Sequence, residues 1–254
     1  MQVFAGHVSP VVCGEFTPDG EWSSIPHRPL QQCSFPPLGK RILTADGDGT
    51  LIFWDPRSPT PVWKLSPEDG RFDLDGITSL AVNPASTVAV IGGAAGGIRV
   101  VNLNKGDVVG ALAAHKEGDS VEAIAFVGFA GAAEVVVTGS TDGKACVWDL
   151  NTLKVRNVLE HEVGLVSSCR SVGCVLRGKQ EPVTCLVPLP SPKSHLVVSG
   201  SADNALRTWD TRTGKLIKEH QGHHGPVLGS AMGHDGRCVV SAGDDGACLV
   251  FATE

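Results

Sequence analysis

Serine, histidine and aspartate are plentiful in this chain of 254 residues. They are the residue types of a hydroxyl nucleophile, its general base and an orienting acid. They recur, however, at matching places in successive segments, and the Gly-x-Ser-x-Gly turn that would expose a serine nucleophile is absent. The paired acids Asp46/Asp48 and Asp244/Asp245 carry the hard oxygens a cation takes. In each pair one acid stands at a turn position and the other beside it faces solvent, so no metal site is expected. Residues 92–97, Gly-Gly-Ala-Ala-Gly-Gly, lack the spacing, the downstream acid and the following helix of a dinucleotide loop. They read as a hairpin turn. Cys169 and Cys174 have no second close cysteine pair and no nearby histidines, so zinc is not expected either. No catalytic residue and no cofactor is assigned.

The elements that position these residues come from a repeat. Residues 42–55 (ILTADGDGTLIFWD), 136–149 (VVTGSTDGKACVWD) and 197–210 (VVSGSADNALRTWD) align directly. Residues 239–252 (VVSAGDDGACLVFA) keep the pattern with Phe251 in the tryptophan place, and residues 89–102 (AVIGGAAGGIRVVN) are degenerate. Trp54, Val101, Trp148, Trp209 and Phe251 then stand 47, 47, 61 and 42 residues apart. A unit of about 40–45 residues is the length of four short strands. In the third unit, strands are expected at 121–126, 134–138, 144–148 and 155–158, with Asp142-Gly143 as a hairpin turn. No stretch holds a helical period, and 31 glycines with 16 prolines favour many turns. The expected fold class is all-β, one repeat region over 1–254.

Two segments break the rhythm. Residues 21–39 are Pro-rich without strand alternation. Removing these 19 residues brings His7-to-Trp54 to the 28 positions that separate His223 from Phe251. The segment is therefore extra to a unit, either a flexible surface loop or a gene-model artefact, and is expected to be poorly ordered. Residues 164–181 form a longer connection ahead of the fourth unit.

Gly6-His7 before Trp54-Asp55, and Gly222-His223 before Phe251, make the chain resemble the WD-repeat family. The resemblance implies a β-propeller with five recognisable four-stranded blades, part of a seven- or eight-bladed ring, with a closed five-bladed ring completed by residues 2–4 as the alternative. It also implies a structural hydrogen-bonded network in each blade, made of a histidine, a serine or threonine, a turn aspartate and a tryptophan. The matching residues are His7, Thr44, Asp48 and Trp54 in unit one. Thr138, Asp142 and Trp148 match in unit three, with His115 as the histidine. Ser199, Asp203 and Trp209 match in unit four, with His161 far upstream. Unit five offers His223, Ser241 and Asp245, but Phe251 has no indole N–H. Unit two departs most, with Ala95 and Val101 in place of the aspartate and tryptophan. At the channel mouth of such a ring, the turn residues Gly47, Ala94, Thr141, Ala202 and Asp244 face outward, and Asp46, Asp75, Asp119, Glu122 and Asp244 supply acid.

The segments PVVCGEFTPDG and KRILTADGDGTLIFWD, the loss of Trp-Asp in the next unit and the ending SAGDDGACLVFAT resemble the angio-associated migratory cell protein family. Fungal members of that family are dedicated chaperones of one basic large-subunit ribosomal protein. The resemblance implies a non-enzymatic binding module in ribosome biogenesis, monomeric when complete, that takes a basic segment of that protein. Asp46, Asp119, Glu122 and Asp244 are its expected contacts. The alternative is a scaffold in signalling or cell migration. A net charge of -6 gives no global field toward nucleic acid, so no direct nucleic-acid binding is expected, although a local basic patch is not excluded. No apolar run reaches the length of about 18 residues that a membrane helix needs. The start, MQVFAGHVSP, does not resemble a secretion signal. The eight cysteines are accordingly read as reduced and the protein as cytoplasmic.

Overall fold

A computed structural model describes the backbone of 11–14 and residues 41–55, 58, 60–70, 72–74, 76–128, 134–161, 181–233 and 236–253. His7, Asp75, residues 2–4, segment 21–39 and residues 164–180 lie outside the described residues.

The described strands form five antiparallel sheets, here called blades. Blade one contains β1 (Val11–Gly14), β2 (Ile42–Asp46), β3 (Leu51–Trp54) and β4 (Pro61–Leu65). Blade two contains β5 (Ile77–Val82), β6 (Val88–Gly93), β7 (Ile98–Asn102) and β8 (Asp107–Leu112). Blade three contains β9 (Val121–Val127), β10 (Val135–Ser140), β11 (Lys144–Asp149) and β12 (Lys154–Glu160). Blade four contains β13 (Val183–Pro188), β14 (Leu196–Ser201), β15 (Leu206–Asp210) and β16 (Lys215–His220). Blade five contains β17 (Val227–Met232), β18 (Cys238–Gly243) and β19 (Cys248–Ala252). Four blades are thus four-stranded as expected, and blade five has three strands among the described residues. Each blade is a meander in which strand order follows chain order and neighbours run antiparallel. One 3-10 turn, Pro67–Asp69, lies between blades one and two.

The first strands stand side by side, with β5 against β1 and β9, and β13 against β9 and β17. Consecutive blades therefore face each other, and the core divides into four apolar layers between them. Leu43, Phe53, Leu80 and Ile91 belong to the first layer, and Val90, Ile98, Val136 and Trp148 to the second. Val137, Val147, Val197 and Trp209 belong to the third, and Val198, Leu206, Val227 and Val239 to the fourth. A sheet covered on both faces needs apolar residues on both, which is why the middle strands β10 and β14 are buried at every position. Close approach sets a glycine on the second strand of blades two, three and four (Gly92, Gly139 and Gly200), where blades one and five have Ala45 and Ala242. A Cβ on Gly139 would lie 2.7 Å from Val183 of the next blade, and one on Gly200 would lie 2.8 Å from Val227.

The outer strands latch onto the following blade at one register position. The Trp63 indole donates to Leu103 O (2.9 Å), the Asn157 amide to Thr211 O (2.9 Å) and the Lys218 ammonium to Ala252 O (3.3 Å). Gly110 holds that position in blade two, and a Cβ there would lie 2.5 Å from Leu153.

Candidate functional site

The turns joining second to third strands share one end of the blades with the connections between blades. In blade three, Gly143 takes φ 77°, and its N–H closes the turn on Ser140 O (3.2 Å). Only the glycine of the Asp-Gly pair is left-handed; the aspartate serves by its side chain. Asp142 accepts the N–H of Lys144 (2.9 Å) and of Lys116 (3.2 Å), tying the turn to the incoming connection. In blade four the left-handed place is held by Asn204, at φ 72°, a residue whose short side chain tolerates that region.

Behind the turn runs a proton-ordered chain. Trp148 Nε1–H donates to Thr138 Oγ1 (2.8 Å). The Thr138 hydroxyl then has His115 Nε2 as acceptor (2.8 Å), and His115 Nδ1–H has Asp142 (3.0 Å). Burial alone would raise the Asp142 carboxyl, but its bonds to His115 and the two backbone N–H groups outweigh burial and hold it below the usual range. These residues occupy fully satisfied structural positions, because every buried polar side-chain atom among the described residues has a partner. The buried thiol beside them, Cys146, is pushed up to about 12 by burial and is inert as a nucleophile.

The other blades vary this chain. In blade one, Trp54 donates to Thr44 (2.8 Å), Asp48 is an exposed turn residue, and the expected histidine, His7, is outside the described residues. In blade five, His223 joins Ser241 (2.7 Å) and Asp245 (3.1 Å), and Phe251 leaves the serine without an indole donor. The N–H groups of His224 and Ala247, with His223, hold Asp245 down to about 2. Blade four contains a residue that sequence reasoning missed. Arg207 Nη1 donates both to Asp203 (2.6 Å) and to His161 Nδ1 (2.9 Å). Because a guanidinium only donates, His161 must accept at Nδ1 and donate from Nε2 to Ser199 (2.9 Å), the reverse of blade three. Ser199 also accepts from Trp209 (2.8 Å). Burial, then the Arg207 charge, lowers the His161 imidazole to about 4. A charged residue two places before Trp209, on a strand otherwise buried, was the available signal. Blade two has lost the chain altogether. Leu74 lies 3.1 Å from a Cβ on Gly93, as His223 lies 2.5 Å from one on Gly243, and Ile91 and Val101 complete an apolar set.

The four acids expected at the channel mouth are placed differently from one another. Asp46 corrects the expectation of a solvent-facing acid. It is 1% exposed, and its carboxylate accepts the N–H of Thr50 (2.8 Å) and Asp48 (3.2 Å). It does for its turn what the Ser140 and Ser201 hydroxyls do for theirs. Asp119 and Glu122 come together across Ser120, whose hydroxyl donates to Glu122. Asp119 is half-buried beside the exposed Lys116 (3.7 Å). Glu122 holds a position that is threonine in blades two and four. Thr78 donates to Val121 O (2.7 Å) and Thr184 to Val227 O (2.6 Å), bolting each blade to the next. A carboxylate cannot donate that bond, so at Glu122 a negative charge stands where two other blades have a bolt. Asp244 is exposed on the turn between β18 and β19, two blades away. A cavity of about 500 Å³ opens beside Asp119, lined by Ala114, Lys116, Asp119, Thr141, Asp142 and Lys144. Among the described residues, no group of three His, Cys, Asp or Glu is placed to hold a metal ion, and no helix is long and apolar enough to cross a membrane.

Residues 1–55, 106–149, 167–210 and 214–251 match the family described as WD domain, G-beta repeat. The unmatched stretch 56–105 contains β4 of blade one and the first three strands of blade two, β5 to β7. The chain is 33% identical over 260 residues to an uncharacterized WD repeat-containing protein of Schizosaccharomyces pombe, covering 100% of this chain and 55% of the relative. It is 24% identical over 266 residues to the angio-associated migratory cell protein of Homo sapiens, covering 100% of this chain and 51% of the relative. The chain thus spans about half the length of these relatives. Among solved structures it resembles Chaetomium thermophilum Sqt1 bound to the N-terminus of the ribosomal protein L10, with a TM-score of 0.71 and 27% identity. That match covers 87% of this chain and 57% of the other.

Proposed function

From the premise that the chain belongs to the WD-repeat family, we propose that it is a non-enzymatic binding module that holds a basic segment of a large-subunit ribosomal protein. The carrying observation is its likeness to Sqt1 with the L10 N-terminus bound. The residues suited to the task are Asp119, Glu122 and Asp244, acids at the turn end of blades three and five. Asp46 is left to its turn. Charge pairing there would speed encounter and favour cationic segments. We read the five blades as part of a seven- or eight-bladed ring, because the matched relatives are nearly twice as long. The cytoplasm, where new ribosomal proteins are made, is the proposed location. The second reading, a signalling or migration scaffold, draws on the 24% identity to the angio-associated migratory cell protein.

The test is a titration of a synthetic L10 N-terminal peptide against the chain and against an Asp119→Asn/Glu122→Gln/Asp244→Asn variant. Exposed contacts contribute about 0.2–1 kcal/mol each, and a desolvated, hydrogen-bonded one about 2–5 kcal/mol. The variant is expected to bind more weakly and with less salt dependence. Equal affinity would move the site elsewhere. Absence of peptide binding, with capture of membrane or cytoskeletal regulators from lysate, would favour the scaffold.

A further inference from the structure

We propose that the end of blades three and four opposite the acidic turns is a second interaction surface, one that takes the phosphate backbone of RNA. This goes beyond the function proposed above; only the choice of RNA over other polyanions rests on that reading.

The turns joining third to fourth strands lie at this opposite end. Hydrogen bonds across the blade boundary gather them into one surface. The Asn157 amide of β12 donates to Thr211 O (2.9 Å) and Arg212 O (3.2 Å) of the next blade's turn. Thr211 in turn donates to His195 O through its N–H (3.0 Å) and its hydroxyl (2.7 Å). The surface so formed presents Lys154, Arg156, Arg212 and Lys215, all exposed.

The acids of this surface sit behind the cations. Asp149 and Asp210 have side chains 15% exposed, whereas their partners Arg156 and Arg212 are 37% and 54% exposed. Each acid is also held by a backbone N–H of its turn, from Asn151 and Arg212 respectively (2.9 Å each). The Arg156 hydrogen bond keeps the Asp149 carboxyl below the usual range. At Asp210, burial acts upward and the Arg212 bonds prevail. Solvent therefore meets guanidinium and ammonium groups with the carboxylates turned inward, in a chain whose net charge is -6.

The aspartates take Nε and Nη2 of each arginine, which leaves Nη1 for a phosphate oxygen, and the lysines add point charges. Such a set reads backbone rather than base sequence. A module that carries a ribosomal protein works next to RNA. Its acidic cargo end repels phosphate, so contact with RNA has to be made at the other end.

The test uses the full chain and a fluorescently labelled RNA hairpin, followed by anisotropy at low and high salt. With four phosphate contacts, affinity is expected to fall about a hundredfold between about 50 and about 200 mM salt. Lys154→Glu/Lys215→Glu should weaken binding about tenfold or more and flatten the salt dependence, while Lys154→Arg/Lys215→Arg retains it. Binding of the L10 peptide should be the same in both variants, so failure of the peptide site and failure of this surface are read separately. The proposal is overturned by salt-independent or absent RNA binding, or by equal RNA affinity in the charge-reversed variant. Tighter binding of polyglutamate than of RNA would also overturn it and assign the surface to an acidic polypeptide.

Discussion

Blades two and three share strand order and the apolar layer between them, yet fill equivalent positions by opposite means. In blade three, His115, Thr138, Asp142 and Trp148 pass protons in one direction, each polar atom with a partner. In blade two, Leu74, Ile91 and Val101 pack together at 0–2% exposure, with Ala95 in the turn. A buried polar group with a partner and an apolar group with neighbours are both stable; a buried polar group without its partner is not. Blade two replaces the whole set at once, whereas blade five keeps His223, Ser241 and Asp245 and loses only the indole donor. Blade four shows a third solution, where Arg207 supplies the proton that Asp203 takes from a histidine elsewhere, and His161 reverses its direction to fit.

The largest expected effect is in the polar blade. Trp148→Ala removes a side chain that is 1% exposed and takes the donor from Thr138. It should destabilise by about 3–5 kcal/mol in denaturant melts. A loss below about 1 kcal/mol would contradict burial of this residue between the blades.

Blade four allows the comparison to be read through pH. The His161 imidazole is lowered from 6.5 to about 4, so between those values the unfolded chain binds a proton that the folded chain refuses. Stability is full above the unfolded value and falls as pH drops toward the folded one, by about 3 kcal/mol in all. Melts of the chain and of His161→Gln across that window should separate at neutral pH and converge on acidification. Parallel curves would show that burial and the Arg207 charge do not hold the imidazole neutral.

Introducing one polar member into the apolar blade should cost less, though clearly. Ile91→Thr places a hydroxyl beside Leu74 and Val101 with neither histidine nor tryptophan to receive it. A loss of about 1–3 kcal/mol is expected by denaturant melt. Adding Leu74→His, Ala95→Asp and Val101→Trp to that variant tests whether the set works as a unit, since recovery requires all four. The smallest effect is a gain. Phe251→Trp offers Ser241 the indole donor it lacks, and a stabilisation of about 0.5–1.5 kcal/mol is expected by thermal melt.

Repeat phase, strand positions and most network members were legible in the sequence, because a 4-stranded meander writes its turns as Asp-Gly and its buried strands as β-branched runs. The third blade follows the expected strands closely, with ends differing by one to two residues. His115 also falls where the pattern put it. Arg207 and Leu74 were not legible. A motif names the residues that normally fill a position, whereas their substitutes are recognised only by what they touch. The acids divide in the same way. Asp244 sits on an exposed turn, as the repeat phase implied, but Asp46 is one residue further back toward its strand and turns inward to the amides of Asp48 and Thr50.

Local chemistry alone determined that this chain forms short antiparallel strands in recurring units, because turn residues and alternation act between neighbours in sequence. The tertiary structure decided which polar groups are buried with partners and which charges meet solvent. Those outcomes depend on residues brought together across blade boundaries, such as Asn157 with Thr211, Thr184 with Val227 and Arg207 with His161. The gathering of Asp119, Glu122 and Asp244 at one end of the blades and of Lys154, Arg156, Arg212 and Lys215 at the other is of the same kind. It follows from the up-and-down path of the strands, which sends alternate turns to opposite ends, and becomes a surface only when adjacent blades align those ends.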